Sequence, residues 1–358
     1  MEPKLASDVL GGLYVPGGGV VEPYRYVYAL SELARANGVD FRMNFEVKSA
    51  EWQNGVRVIH ASDGRSAVAK WTVNAAGLFA DEVSAALGGE KFRILPRKGE
   101  EYLLDRNSPA YPSKVIFPVP TALSKGVLVI PTVEGTTMVG PTAELTEDKS
   151  DNSTSAENMR RIFGLAKKMV PAVSERDLIT CFSGSRPVLE SEDFFIAPSK
   201  TAPNLIQVAG IQSPGLTASP AIGEYVRDLL REQGVEMLEK TCFATSIPHH
   251  PALRHLSREE ADSMYRQDPA WTRIVCRCES VSEAEIVEAI RQGHTTVDGI
   301  KLYTRAGMGR CQGGFCTHKI LKIIARETGL PLEEITKRGG HGNLVLKHLG
   351  DNGTEDHV

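Results

Sequence analysis

Residues 276–290 read CRCESVSEAEIVEAI, and residues 304–316 read TRAGMGRCQGGFC. The first stretch holds Cys276-x-Cys278 and the second Cys311-x4-Cys316. Four thiolates on two short loops can be aimed together at a soft metal centre. Gly313 and Gly314 let the second loop fold tightly around a bulky inorganic core. Spacing alone leaves a structural zinc site, an iron–sulfur cluster and unligated thiols open. Disulfides fit least, because Cys276 and Cys278 are too close to bridge comfortably and nothing else points to a secreted protein. Cys181 and Cys242 fall outside the pattern and read as buried, small apolar residues.

The wording around the four cysteines resembles the [2Fe-2S] domain of the bacterioferritin-associated ferredoxin type, a domain also found fused to flavin-dependent dehydrogenases. The resemblance covers about residues 271–330. It implies one [2Fe-2S] cluster on Cys276, Cys278, Cys311 and Cys316. His318, two residues after Cys316, is expected near the cluster without being a ligand.

Working outward, 358 residues suit two or three domains, and 41% hydrophobic residues are enough for a sizeable core. A net charge of −4 argues against a nucleic-acid footprint. No stretch reaches the apolar length of a membrane span, and the first residues lack the charged start and apolar core of a signal peptide. The expectation is a cytoplasmic protein, with peripheral contact at the inner membrane face left open.

Residues 23–37 read as a helix, with Pro23 in the first turn, an apolar face of Val27, Leu30, Leu33 and Ala34, and Gly38 as the stop. Strand-like runs follow at 39–44, 46–52, 56–61 and 67–73, with Asn54-Gly55 and Asp63-Gly64 as turn pairs. Residues 95–210 are rich in short strand candidates, interrupted by a helix near 156–169 capped by Ser153 or Thr154. A last buried strand, LIQVAG, runs into a helix ending near Arg231.

Five phrases in order resemble the FAD-dependent oxidoreductases of the D-amino-acid oxidase type: VVEPYRYVYALSELARANGVDF (20–41), WTVNAAGLFADEV (71–83), PRKGEEYLL (96–104), FSGSRPVLE (182–190) and VAGIQSPGLTASPAIGEYV (208–226). Glycerol-3-phosphate dehydrogenases and L-2-hydroxyglutarate oxidases are the members most alike. The physical reading agrees. Small residues at the strand end Ala75-Ala76-Gly77 admit a cofactor close to the backbone, although an ordinary strand-to-helix turn looks the same. The turn Gly210 to Thr217, with Ser213, Pro214, Gly215 and Leu216, feeds a helix N-terminus whose dipole suits an anion such as the reduced flavin edge. The resemblance puts FAD against these residues and Val47. It places Arg186 over the flavin, where a planar guanidinium would grip a carboxylate or phosphate by two parallel bonds. Lys98 and Tyr102 are the candidates for proton transfer by their position in the substrate domain.

The family's opening strand, G-x-G-x-x-G turn and helix have no counterpart in this sequence: Gly11-Gly12 and Gly17-Gly18-Gly19 lack the spacing. The expectation is therefore an α/β (α+β) chain. It would hold a Rossmann-like FAD domain lacking its first βαβ segment, an antiparallel substrate sheet at about 95–205, and a small helical [2Fe-2S] domain. The expected boundaries are 1–235 for the oxidoreductase, 236–270 for a linker, 271–335 for the cluster domain and 336–358 for a flexible tail. A subunit or segment supplying the missing FAD-binding N-terminus is an expected partner. The expected activity is oxidation of sn-glycerol 3-phosphate or a small 2-hydroxy acid, electrons passing from flavin to cluster and on to a quinone or carrier protein. The alternatives are an amino-acid dehydrogenase or oxidase of the same fold, and a non-catalytic iron–sulfur electron-transfer subunit.

Overall fold

The computed structural model describes residues 2–120, 125–248 and 250–346. Its first helix is α1 (Pro23–Ala36). The chain divides into two compact units, one of residues 1–20 and 37–243, the other of residues 21–36 and 244–358. The boundary near 243 lies beyond the expected cut at 235.

Among the described residues the larger unit contains three sheets. Strands β1 (Val47–Gln53), β2 (Val56–Ala61) and β3 (Ser66–Ala69) form an antiparallel meander. Strand β4 (Thr72–Asn74) is followed by helix α2 (Ala80–Ala86). The run expected over 67–73 is thus two strands in two sheets. The run expected over 39–44 is not a strand. Asn44 turns left-handed at φ 54°, and the Arg65 guanidinium takes up the carbonyls of Met43 and Asn44 that a strand neighbour would need.

The second sheet is antiparallel. It comprises β5 (Leu95–Leu104), β6 (Leu128–Pro131), β7 (Thr137–Gly140), β8 (Glu144–Leu145) and β9 (Leu178–Val188), in the order β6-β7-β5-β8 with β9 also paired to β5. Helix α3 (Ala156–Met169) covers one face of it, burying Ile162, Phe163 and Ala166 against Tyr102, Leu104, Val129 and Val139. Its cap is Ser155, one residue past the expected pair, whose side chain accepts from the Asn158 N–H.

The third sheet runs β10 (Phe195–Pro198), β11 (Leu205–Ala209), β4, with β11 and β4 parallel. All five residues of β11 are buried. Among the described residues β4 has no strand on its other edge. Helix α4 (Gly215–Glu232) leaves β11 through the turn at 210–214.

The smaller unit holds helix α5 (Arg258–Gln267), strands β12 (Ile274–Cys276) and β13 (Val281–Ser282), and helices α6 (Glu283–Arg291), α7 (Val297–Thr304) and α8 (Thr317–Thr328). A core of Ile286, Ile290, Ile300, Ile320, Ile324 and Ile335 joins α6, α7 and α8 and takes in Cys276 of β12 and Val281 of β13. Helix α5 stands inside the segment expected as a linker, fixed by a Ser257/Glu260 capping box. Helix α1, expected with the flavin half, belongs here. Its aromatic face decides this: the Tyr28 ring lies 4.9 Å from His294, and Arg25 stacks 5.1 Å over the Tyr303 ring while donating to the Tyr303 carbonyl. The tail expected from 336 begins with an ordered turn, in which Lys337 N–H donates to the Gly342 carbonyl at 2.7 Å. Residues 347–358 lie outside the described residues.

Candidate functional site

The four cysteines of the smaller unit arrive on two loops. Strands β12 and β13 form a short hairpin that places Cys276 and Cys278, and the Ser282/Glu285 capping box starts α6 straight after it. The second loop runs from the end of α7 to the start of α8 and contains Cys311 and Cys316. Gly309 is required where the loops meet, because a Cβ there would lie 2.3 Å from the Cβ of Cys278. At Gly313, φ is +90° and a Cβ would lie 2.6 Å from the Thr317 hydroxyl. These two positions explain why the loop is written with glycine.

The thiols form two pairs. Cys278 Sγ and Cys311 Sγ are 3.7 Å apart, and the Cys316 thiol donates to Cys276. Two sulfurs about 3.8 Å apart can share one tetrahedral metal with bonds of about 2.3 Å. Two such pairs would suit two metal atoms, each held by two thiolates. The Cys316 hydrogen bond, with backbone N–H groups of Gly307 and Glu279, pulls the Cys276 thiol below the ordinary thiol range. Cys276 and Cys316 are buried, whereas Cys278 is exposed. Cys181 and Cys242, expected as buried residues, are both exposed. Cys181 lies on β9 opposite Tyr102 but is not part of the core that α3 closes, and its Sγ stands 3.4 Å from the Thr154 hydroxyl.

Behind the first loop stands a buried ion network that the sequence reading missed. Arg305 caps α7 in a left-handed conformation at φ 73°. Its Nε donates to Glu279 and its Nη1 to Glu22, each at 2.9 Å, and it also reaches the Tyr24 hydroxyl. Tyr24 Oη lies 3.7 Å from Met308 Sδ in the second loop. Adjacency of Glu279 to Cys278 was the one signal available in the sequence.

In the larger unit, β5 and β9 pair so that Arg97 faces Arg186, Gly99 faces Gly184 and Glu101 faces Phe182. Directly opposed residues share a sheet face. Arg186 therefore stands with Arg97 and Glu101 on the face that α3 does not cover. A Cβ on Gly99 would lie 2.8 Å from Arg186 Nη2, so glycine makes room for the guanidinium. Arg186 donates to the carbonyls of Arg97 and Thr142, at 3.3 and 2.8 Å, and no carboxylate is paired with it among the described residues. Arg97 is held by Glu192 and by Gln212 at 3.3 Å, which ties this face to the turn before α4. Burial pushes the Glu101 carboxyl up to about 7 against the pull of Arg186, and its Oε2 is buried without a hydrogen-bond partner.

Lys98 and Tyr102, the expected candidates for proton transfer, lie on the opposite face of β5 from Arg186. Lys98 Nζ is buried against Asp151 at 2.6 Å and Ser153 at 3.1 Å. Tyr102 is 1% exposed, donates to Glu100 at 2.8 Å, and packs 5.7 Å from the Phe163 ring. Strand alternation separates 97 and 101 from 98 and 102, and only the register with β9 shows which set Arg186 joins.

The remaining expected residues flank β4 and β11. Asn74, at the end of β4, is buried; its amide donates to Ala80 O and Gln207 Oε1, and its own oxygen accepts from the Ala76 N–H, fixing the Ala75-Ala76-Gly77 turn. Gly77 is left-handed at φ 58°. Helix α4 begins at Gly215 after the exposed Ser213-Pro214 pair, with no side-chain cap and no acidic residue in its first turn. That uncapped positive end beside Leu216 and Thr217 fits the anionic edge of a flavin. Gly210, at φ 68°, packs under Leu189 and Asp193. Val47 starts β1, in a different sheet from β4 and β11.

The profile of the FAD dependent oxidoreductase family matches residues 1–229. This chain belongs to that family. A second profile, the BFD-like [2Fe-2S] binding domain, matches residues 274–326 and takes in all four paired cysteines. FAD and a [2Fe-2S] cluster are thus the cofactors of this FAD-dependent oxidoreductase. Among its relatives is a glycerol 3-phosphate dehydrogenase of Caloramator mitchellensis, 39% identical over 97% of this chain and 72% of that protein. Another is the anaerobic glycerol-3-phosphate dehydrogenase subunit A1 of Haloferax volcanii, 25% identical over 91% of this chain and 62% of the relative. A solved structure, dithionite-reduced L-α-glycerophosphate oxidase from Mycoplasma pneumoniae with FAD bound, is 27% identical with a TM-score of 0.51, over 56% of this chain and 52% of that one. The chain therefore spans about half to three quarters of the length of these relatives. No helix among the described residues is long and apolar enough to cross a membrane.

Proposed function

We propose that this oxidoreductase oxidises sn-glycerol 3-phosphate and passes the electrons through its [2Fe-2S] cluster to a quinone or carrier protein. The oxidoreductase part would lie within 1–235 and the cluster part within 271–335. The observation that carries the reading is Arg186: a guanidinium on the sheet face that α3 does not cover, cleared by Gly99 and hydrogen-bonded to the main-chain carbonyls of Arg97 and Thr142. Such a group keeps its charge for an incoming phosphate and can meet it with two parallel bonds. The names of the relatives above, dehydrogenase, oxidase and dehydrogenase subunit, support the same substrate and a partner subunit.

Bound flavin would accept a hydride from the substrate carbon, and a [2Fe-2S] cluster would carry the electrons singly. This chain's own residues do the rest. Arg186 orients the substrate by its anion. Arg97, braced by Glu192 and Gln212, holds the neighbouring strand end and the turn before α4. The uncapped α4 N-terminus, through Ser213–Thr217, offsets negative charge on the flavin side, with Ala75, Ala76, Gly77, Gly210 and Val47 as further contacts. Cys276, Cys278, Cys311 and Cys316 hold the cluster. A small 2-hydroxy acid would use the same arginine, but the relatives favour the phosphate.

The test is Arg186→Lys in FAD-loaded protein. It replaces the fork by a point charge, and kcat/KM for sn-glycerol 3-phosphate should fall by about 10- to 100-fold, the scale of one or two charge-assisted bonds. Unchanged kcat/KM would remove Arg186 from the substrate site.

A further inference from the structure

The two thiol pairs differ in their access to solvent. Cys276 and Cys316 are each 1% exposed, whereas Cys278 is exposed and Cys311 partly so. One edge of the cluster is therefore sealed in the core of the small unit, and the other faces outward. Phe315, between Gly314 and Cys316, is 82% exposed at that same loop. Its ring offers an apolar, aromatic contact beside the cluster edge.

Charge around this edge has one sign. From residue 276 to residue 322 every fully exposed charged side chain is basic: Arg277, Arg291, Arg310, Lys319 and Lys322. The acidic residues of the stretch are withdrawn. Glu279 is buried on Arg305, Glu283 is held by Arg273 and Arg326, Glu285 closes the α6 capping box, half-buried Glu288 pairs with Arg291, and Asp298 pairs with Lys337. In a chain of net charge −4 this is a local reversal. In sequence, Arg277 separates the first two cysteines, Arg310 precedes Cys311, and Lys319 stands three residues after the sealed Cys316, so exposed basic residues lie next to both cysteine loops.

We propose that the Cys278/Cys311 edge, with Phe315 and the rim of Arg277, Arg310 and Lys319, is the docking face for an acidic one-electron carrier protein. This inference rests on the cluster reading above and adds the place and charge of the partner. A basic rim attracts an acidic surface over distance and orients it, and a central aromatic gives the short-lived complex its desolvated contact. An anionic membrane would also attract basic residues. It would need a broad apolar face to insert, and here one phenylalanine stands among charges. In each encounter one electron leaves the reduced cluster and one oxidised acceptor gains it; no bond forms or breaks.

The experiment follows oxidation of the dithionite-reduced protein by stopped flow, using two haem proteins of opposite charge. Cytochrome b5 is the acidic probe and cytochrome c the basic one. The rate with cytochrome b5 should fall steeply as salt rises, and Arg277→Gln/Arg310→Gln/Lys319→Gln should slow it at low salt by about tenfold. The rate with cytochrome c should be unchanged or faster in the variant. Arg277→Gln/Lys319→Gln gives a smaller change in the same direction and serves if the triple variant fails to fold. Equal cytochrome b5 rates in variant and wild type, or equal slowing with both probes, would overturn the proposal. Loss of binding to phosphatidylglycerol vesicles with an unchanged cytochrome b5 rate would replace it with a membrane contact. Iron analysis separates the two layers: wild-type protein without about two irons per chain sinks the cluster reading itself, whereas intact iron with equal rates sinks only the docking face.

Discussion

Among the described residues the cluster unit is organised around one core, while the flavin half distributes its buried residues over four. In the former, Ile286, Ile300, Ile320 and Ile324 belong to one contiguous group that also takes in Cys276 and Cys316. In the latter, separate groups form under α3, around Ala80 and Ile94, around Leu87 and Leu205, and around Ile206 and Leu229. The cluster site is short-range in sequence, with local signals at each step: the Ser282 capping box, the Thr296 cap of α7, and the left-handed Gly329 that ends α8. The substrate face is long-range. It joins residues 97 and 101 to 186 and 212 through strand pairing and one side-chain bond. A site written in consecutive loops tolerates little change in its own letters, and a site written across a sheet tolerates little change in register.

The hardest test of that contrast is Cys316→Ser. It should abolish the two-iron cluster and unfold the small unit to a measurable extent, since Cys316 is also core. Cys181→Ser and Cys242→Ser, both exposed, should leave iron content unchanged. Equal iron loss in all three would mean that the paired loops are not the site.

Next is Arg305→Met, which strands Glu279 and Glu22 without their cation. Breaking a buried pair from one side costs about 3–5 kcal/mol. Denaturant unfolding should show the loss in the small unit, and the double variant Arg305→Met/Glu279→Gln should recover part of it. Additive losses would show that the two groups act independently.

Glu101 supplies a test in the sheet. Its folded-state value of about 7 exceeds the ordinary carboxyl value of 4.5. The folded protein therefore holds this proton longer than the unfolded chain. Its stabilising contribution is complete below about pH 4.5 and is lost as pH rises through about 7, by about 2–3 kcal/mol. Thermal midpoints should decline over that range in the wild type and decline less in Glu101→Gln. Parallel curves would mean that Glu101 is ionised and solvated throughout.

The smallest effect is expected at Tyr102→Phe. It removes one buried hydroxyl that donates to Glu100, worth about 1 kcal/mol, and leaves the ring against Phe163. Stability should drop slightly with no change in KM for the phosphate substrate. A large fall in kcat would return Tyr102 to the reaction and overturn its placement away from Arg186.

Local sequence signals were enough for the paired cysteine loops, a helix read over 23–37 and one near 156–169, the buried strand before α4, and the family of both parts. Each rests on interactions within a few residues: a cap, an apolar period, a glycine that a loop needs. The tertiary structure alone decided that Lys98 and Tyr102 turn away from Arg186 while Arg97 and Glu101 join it, since alternation gives two faces and only the pairing of β5 with β9 assigns them. It alone placed α1 with the cluster unit, through contacts of Tyr28 and Arg25 with residues more than 260 positions later. It alone split the thiols into a sealed pair and an open pair, because burial of a side chain depends on what packs over it from elsewhere in the chain, and no spacing between cysteines carries that information.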